Sequence, residues 1–231
     1  MANLCIIPAR GGSKRIPRKN IKDFLGKPII AYSIAAALDS GLFDEIMVST
    51  DDEEIAEIAL SLAAKVPFLR SSETSNDYAT TYQVLEEVLL EYDKIGRSFD
   101  NVCCIYPCAP FVNGEKLKLA FDTMIKGDFD GLFPTVGFGF PIQRALRFNN
   151  QKISFFYPEY ALTRSQDLEK SYHDAGQFYW AKVSSLFEQK SLITNNTGSI
   201  ILSELEVQDI DNETDWTLAE LKYKMFNKIS K

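Results

Sequence analysis

No stretch of the 231 residues is apolar for long enough to cross a membrane or to form a signal-peptide core; the first hydrophobic run, 4–7, stops at Pro8, and Arg10 interrupts any extension. Cysteine is scarce. Cys5, Cys103, Cys104 and Cys108 form neither a CxxC pair nor a zinc-type spacing, and their apolar surroundings read as buried, reduced thiols. No GxGxxG fingerprint and no GxxxxGK[ST] loop occurs, which argues against a dinucleotide dehydrogenase and a kinase-type P-loop. Positive charge is also in deficit: 25 Lys and Arg face 32 Asp and Glu, a net charge of −7, so no nucleic acid and no membrane is expected as a partner. What these absences leave is a cytoplasmic protein of ordinary globular composition, 45% hydrophobic and 25% charged, expected to form a single domain over 1–231.

Against that background one stretch stands out. The apolar run 4–7 reads as a buried strand, and it breaks at Pro8 into Ala9-Arg10-Gly11-Gly12-Ser13-Lys14-Arg15-Ile16-Pro17-Arg18-Lys19-Asn20. Between Arg10 and Lys22 lie six basic residues, with no acidic residue before Asp23. Gly11 and Gly12 let the backbone turn and approach a ligand, so that main-chain N–H groups can point at phosphate oxygens. A basic, glycine-containing loop after the first strand of an acidic protein is a polyphosphate cradle.

The rest of the chain alternates. A helix opens at Lys27-Pro28 with Ile30, Ile34, Ala37 and Leu38 on one face and ends at Gly41. A strand at 45–50 is followed by Asp51-Asp52-Glu53-Glu54, a cap and acidic first turn for a helix to about Ala64. A short strand at 66–69, a loop to Ala79, a helix over 80–92, a strand at 102–106, a helix at 115–125 and a strand at 131–136 continue the rhythm. This pattern predicts an α/β fold of three layers with a mostly parallel sheet, in which ligands sit beyond the carboxyl ends of the strands.

From about 137 to 172 the rhythm breaks into Gly-Phe-Gly-Phe-Pro, a hairpin signal around Asn149-Asn150 and the aromatic run Phe155-Phe156-Tyr157-Pro158. So many Phe and Tyr predict an inserted dimerisation or substrate-covering arm, the alternative being an irregular extension of the core within one subunit. Two further strands at 177–181 and 199–202 precede Asp209-Ile210-Asp211 and a terminal helix from about 214 to 226. Asp209 and Asp211, two apart on extended chain, point to one face and can offer oxygens to a hard cation.

The stretch from Pro8 to Asn20 resembles the signature of the cytidylyltransferases that activate nonulosonic acids, the sialic acid synthetase family. The resemblance continues at Phe24-Leu25-Gly26-Lys27-Pro28, Val48-Ser49-Thr50-Asp51, Leu69-Arg70, and Asp209-Ile210-Asp211 followed by Asp215-Trp216. It implies a nucleotide-diphospho-sugar transferase-like fold, CTP as donor, Mg²⁺ as cofactor, a nonulosonic acid as acceptor and a homodimer. It also implies that Pro8, Ala9, Arg10, Gly11, Gly12 and Asn20 hold the nucleotide, and that Ser13, Lys14 and Lys19 bind the β and γ phosphates. Arg10, Lys14 and Lys19 then supply the catalytic charge. Arg70, Ala79 and Thr81, with Asp77 in the same loop, correspond to positions contacting cytosine or ribose, and Asp209 and Asp211 to metal ligands.

Two departures concern the acceptor. Where sialic acid enzymes carry Gln-Pro-Thr-Ser-Pro, this chain has Tyr106-Pro107-Cys108-Ala109-Pro110, a less polar lining suited to deoxy and acylated carbons. The stretches Phe140-Pro141-Ile142-Gln143-Arg144, 163–168 and 172–180 are similar to the branch that activates pseudaminic acid. That resemblance makes Tyr106, Gln143, Arg164, His173, Asp174 and Gln177 the expected sugar contacts, with Arg164 on the acceptor carboxylate. The alternatives are sialic, legionaminic or 3-deoxy-octulosonic acid as acceptor, or a non-catalytic nucleotide-binding protein. The general base stays open among His173, metal-bound hydroxide and a metal-ligand carboxylate.

Overall fold

The computed structural model describes residues 1–227. Leu4, Cys5, Ile6 and Ile7, in the first strand, β1 (Asn3–Pro8), are buried on both faces, as a near-continuous apolar run in a parallel sheet must be. Each fully buried Leu or Ile there contributes about 1.5–3 kcal/mol. Alternation sorts the side chains: Cys5 and Ile7 join one core, Leu4 and Ile6 the other.

After the basic loop come a two-residue ribbon, β2 (Asp23–Phe24) with β3 (Lys27–Pro28), and then α1 (Ile30–Ser40), β4 (Glu45–Ser49), α2 (Glu53–Ser61), α3 (Thr81–Lys94), β5 (Asn101–Ile105), α4 (Gly114–Lys126) and β6 (Gly131–Gly137). A hairpin, β7 (Leu146–Asn149) and β8 (Lys152–Phe155), precedes β9 (Tyr172–Asp174), β10 (Phe178–Lys182), α5 (Val183–Gln189), β11 (Thr197–Leu202) and α6 (Glu213–Phe226). The main sheet has the order β11-β6-β10-β5-β1-β4, with β9 beside β6. Five of its seven strands run the same way; β9 and β10 are reversed. Residues of α1, α2 and α4 pack on the face of Cys5 and Ile7, and those of α3 and α5 on the face of Leu4 and Ile6. The three layers and the mostly parallel sheet expected from the pattern are therefore present.

Several expectations need correction. Residues 66–69 form no strand: the chain makes only a bridge from Lys65 to Met47, then Pro67, which has no N–H to donate, ends the ladder. Pro28 ends β3 instead of opening α1, and Leu38 is exposed while Ile30, Ile34 and Ala37 are buried. The helix before Ala64 stops at Ser61, since Ala63 takes a left-handed conformation. α5, β9 and the β2–β3 ribbon are additions. The Asn149-Asn150 hairpin does form, with Asn150 and Gln151 both at positive φ, as a two-residue turn of right-handed twist needs.

A third apolar cluster matters most for the loop. Phe24 packs edge-on to Tyr32, Trp216 and Tyr223, and Ile16 lies fully buried in the same group with Ile210. Helix α6, capped by a reciprocal Asn212/Asp215 pair, thus clamps the middle of the basic loop from the far end of the chain.

Candidate active site

The basic loop leaves β1 at the carboxyl edge of the sheet and is fastened at several points. Ala9, itself buried, donates its N–H to the Ser49 carbonyl at 2.8 Å. Asn20 donates from Nδ2 to the Arg10 carbonyl at 2.9 Å and accepts from Cys108 Sγ at 3.3 Å. Gly11 donates its N–H to Asp51 Oδ1, and a Cβ at this position would meet Asp52 Oδ2 at 2.6 Å, so only glycine fits this close approach. Lys19 Nζ reaches the Ile210 carbonyl at 2.7 Å, tying the loop to the Asp209–Asp211 segment.

A cleft of about 510 Å³ opens above this edge. Pro8, Arg10, Ser13, Lys14, Lys19 and Asn20 line it from the loop; Arg70, Asp77, Ala79 and Thr81 from the chain leading into α3; Tyr106 from the end of β5; and Asp209 from the segment before α6. Residues from both ends of the chain therefore meet in one space. The strand reversal matters here, because β10 pairs Phe178 with Ile105 and so brings Gly176, just ahead of it, to the carboxyl edge of the other strands.

Every cation of the loop has a partner. Arg10 Nη1 bonds Asp77 Oδ1 at 2.7 Å, and Lys14 bonds the other oxygen of the same carboxylate. Arg15 pairs with Asp211 at 2.7 Å, Arg18 with Asp52 and Glu54, and Lys22 with Glu213. Arg70 is buried, its Nε donating to Ser49 Oγ at 3.0 Å and Nη2 to the Ser49 carbonyl at 2.5 Å. Burial draws its pKa down, with Asp51 and Glu87 opposing. Burial and then the neighbouring Asp211 push the Asp209 carboxyl up, and Lys19 pulls the other way. Asp209, an exposed residue, and Asp211, an intermediate one, thus form an anionic pair of hard oxygens, of the kind that suits a small divalent cation also held by phosphate oxygens. Among the described residues no group of three or more His, Cys, Asp or Glu is gathered for a metal ion.

A second cleft of about 460 Å³ adjoins the first and shares Asp209 with it; His173, Asp174, Glu204, Gln208 and Lys222 are among its walls. The partition between the two is built by Asp174, which accepts the Gly176 N–H at 2.8 Å on one oxygen and the Tyr179 hydroxyl at 2.6 Å on the other. Gly176 sits at φ +63°, a conformation that favours glycine. Tyr106 packs against Tyr179 with ring centroids 5.3 Å apart and planes tilted by 56°, and shares a hydrogen bond of 3.2 Å with Thr81.

The expected sugar contacts are therefore divided. Tyr106 faces the first cleft and His173 and Asp174 the second. His173 lies against Phe138 with its Nδ1 2.9 Å from the Asp174 carbonyl. Gln177 is buried, donating to the Glu206 carbonyl, and borders neither cleft. Gln143 donates to the Glu169 carbonyl and Arg164 pairs with Asp167, both in the arm away from the two clefts. Ala9, Gly11, Gly12 and Asp211 support the first cleft without lining it. Thr74 and Asn76 do line it and were not assigned there from sequence, whereas Cys108 and Gly176 line it from stretches already read as facing the acceptor. Neither Thr74 nor Asn76 carried a signal beyond its place in the loop that ends at Ala79.

The chain matches the family model described as Cytidylyltransferase over residues 4–222. It is 45% identical to a pseudaminic acid cytidylyltransferase of Campylobacter jejuni over 97% of both chains, and 32% identical to a CMP-N,N'-diacetyllegionaminic acid synthase of Legionella pneumophila over 95% of both. Among solved structures, CMP:2-keto-3-deoxy-manno-octonic acid synthetase complexed with CTP superposes with a TM-score of 0.70 at 16% identity, over 99% of this chain and 100% of the other. With the basic loop, Arg70 and the Asp209 segment gathered at one sheet edge, and with those matches running through nearly the whole length, the chain belongs to the cytidylyltransferase family of nucleotidyltransferases.

Proposed function

We propose that the enzyme transfers CMP from CTP to the anomeric hydroxyl of pseudaminic acid, releasing pyrophosphate. The observation that carries this reading is the first cleft, where a triphosphate-sized basic wall, the Arg70 loop and Asp209 converge. The resemblance to the pseudaminic acid cytidylyltransferase of Campylobacter jejuni, at 45% identity, adds the acceptor.

The residues divide the work as follows. Lys14, Lys19, Ser13 and Arg10 hold the β and γ phosphates and stabilise the charge that builds on the leaving pyrophosphate. Thr81, Ala79 and Arg70 bound the space for cytosine and ribose. Asp209, with Asp211 behind it, would hold Mg²⁺, which when bound neutralises phosphate oxygens. The acceptor enters through the second cleft, past His173 and Asp174, so that its hydroxyl approaches the α-phosphate from the side of Asp209. Tyr106, in place of a glutamine, gives that junction an aromatic ring already packed at a tilt against Tyr179.

Pyrophosphate release measured for the four nucleoside triphosphates with pseudaminic, sialic, legionaminic and 3-deoxy-octulosonic acids tests donor and acceptor together. CTP with pseudaminic acid is expected to give the highest kcat/KM. A preference for another acid overturns the acceptor assignment, and no release with any pair overturns the enzyme.

The arm supports a homodimer. Phe140 is 87% exposed, Phe148 75% and Leu162 100%, a density of bare apolar side chains unusual for a monomer's surface. Light scattering at micromolar concentration is expected to give twice the chain mass of 26.1 kDa; a monomer removes the dimer.

A further inference from the structure

Among the described residues, Asp77 is the one carboxylate that bridges two cations across the first cleft, to Arg10 at 2.7 Å and to Lys14, residues 67 and 63 positions away in sequence. Those same cations line the cleft beside it, whereas Arg18 and Lys22 are turned to carboxylates outside. We propose that Asp77 is a specificity-determining residue: its carboxylate stands in for a phosphate between Arg10 and Lys14, so that a ligand must carry linked phosphates to displace it.

The position of Asp77 does not depend on the ion pair. Asn76 Oδ1 accepts the N–H groups of Tyr78 at 2.8 Å and Ala79 at 3.0 Å, closing the turn that carries Asp77. The Ser71 N–H donates to Glu87 of α3 at 2.8 Å and Thr74 bonds the same carboxylate, so the loop is pinned to a helix. Lys14 and then Arg10 hold the Asp77 carboxyl below the usual carboxylate range, so the anion is present at neutral pH. Its side chain is 37% exposed, and such a pair adds little to folding, whereas its charge acts fully on any anion entering between the same cations.

The consequence is discrimination by charge. A single carboxylate with two oxygens is outcompeted by a pyrophosphate unit, which brings more charge and more acceptor oxygens to the same Arg and Lys. A nucleoside monophosphate, reaching only the α position, leaves Asp77 in place and gains nothing there. After transfer, the departing pyrophosphate faces an internal anion ready to retake both cations.

This inference rests on the proposed siting of the triphosphate tail, and the test separates the two. Calorimetry measures inorganic pyrophosphate and CMP binding to the full chain, to Asp77→Asn and to Asp77→Ser, with Lys14→Ala as the control for the siting. Both Asp77 variants are expected to bind pyrophosphate about 10-fold more tightly, the scale of removing one competing charge at two contacts, with CMP affinity changed less than about twofold. Unchanged or weaker pyrophosphate binding, or equal tightening of CMP, overturns the proposal. If Lys14→Ala binds pyrophosphate as the unaltered chain does, the siting itself is wrong. Thermal unfolding of each variant within a few degrees of the parent excludes a folding defect as the cause.

Discussion

Lys19→Ala is expected to lower turnover by about 10²-fold or more, the scale for removing a positioned charge that stabilises a transition state. The ammonium lies in the first cleft at the point where both ends of the chain meet, donating to the Ile210 carbonyl at 2.7 Å. Its charge reaches Asp209 and Cys108, whose pKa values it lowers against the upward pull of burial. Removing it therefore takes positive charge from the leaving group and also loosens the tether between the loop and the Asp209 segment. A lost tether alone costs about 1 kcal/mol of stability, and thermal unfolding separates that from catalysis. Lys19→Met, which keeps the length of the side chain, is expected to lose turnover to a similar degree. Unchanged kcat in Lys19→Ala counts against a role in charge stabilisation.

Replacing Asp209 and Asp211 together by Asn is expected to abolish the response of turnover to Mg²⁺ and to lower it by about 10²-fold at saturating CTP. The two aspartates are not equivalent. Asp209 lines both clefts and is pushed toward protonation by burial and by Asp211, whereas Asp211 is paired with Arg15 at 2.7 Å and lines neither cleft. Asp209→Asn alone is thus expected to account for most of the loss, and Asp211→Asn to act mainly by releasing Arg15. A Mg²⁺ titration of the initial rate distinguishes the variants. Full activity of the double variant at ordinary Mg²⁺ sinks the metal assignment.

Some of this architecture follows from local physics. The run Leu4-Cys5-Ile6-Ile7 has to be a buried strand, since its four side chains are apolar and Pro8 ends it. Asp52, Thr80 and Asn212 cap α2, α3 and α6 through their own side chains, so those starts are written in neighbouring residues. The basic loop is visible because charge density is a property of the chain itself.

Other features have no local cause. Phe178, Tyr179, Trp180 and Ala181 are buried, as a central parallel strand would be, so nothing in their pattern reveals that β10 runs backwards between β5 and β6. The short α5 follows β10 directly, without a turn residue to announce it. Residues 66–69 look like a strand to a hydrophobicity pattern, but the pairing they would need ends with the Lys65 bridge.

The sequence by itself determined the alternation of strands and helices, the position of the basic loop and the pairing of Asp209 with Asp211 on one segment, because periodicity, capping and charge act over a few residues. Tertiary structure decided that Lys19 meets Ile210 across 191 positions, that Asp77 closes on Arg10 and Lys14, and that the Asp174–Gly176 turn divides one cleft from the other. The reason is physical. Contacts of that span depend on sheet order and strand direction, which are set by burying all the strands and helices at once and leave no mark in any single stretch of chain.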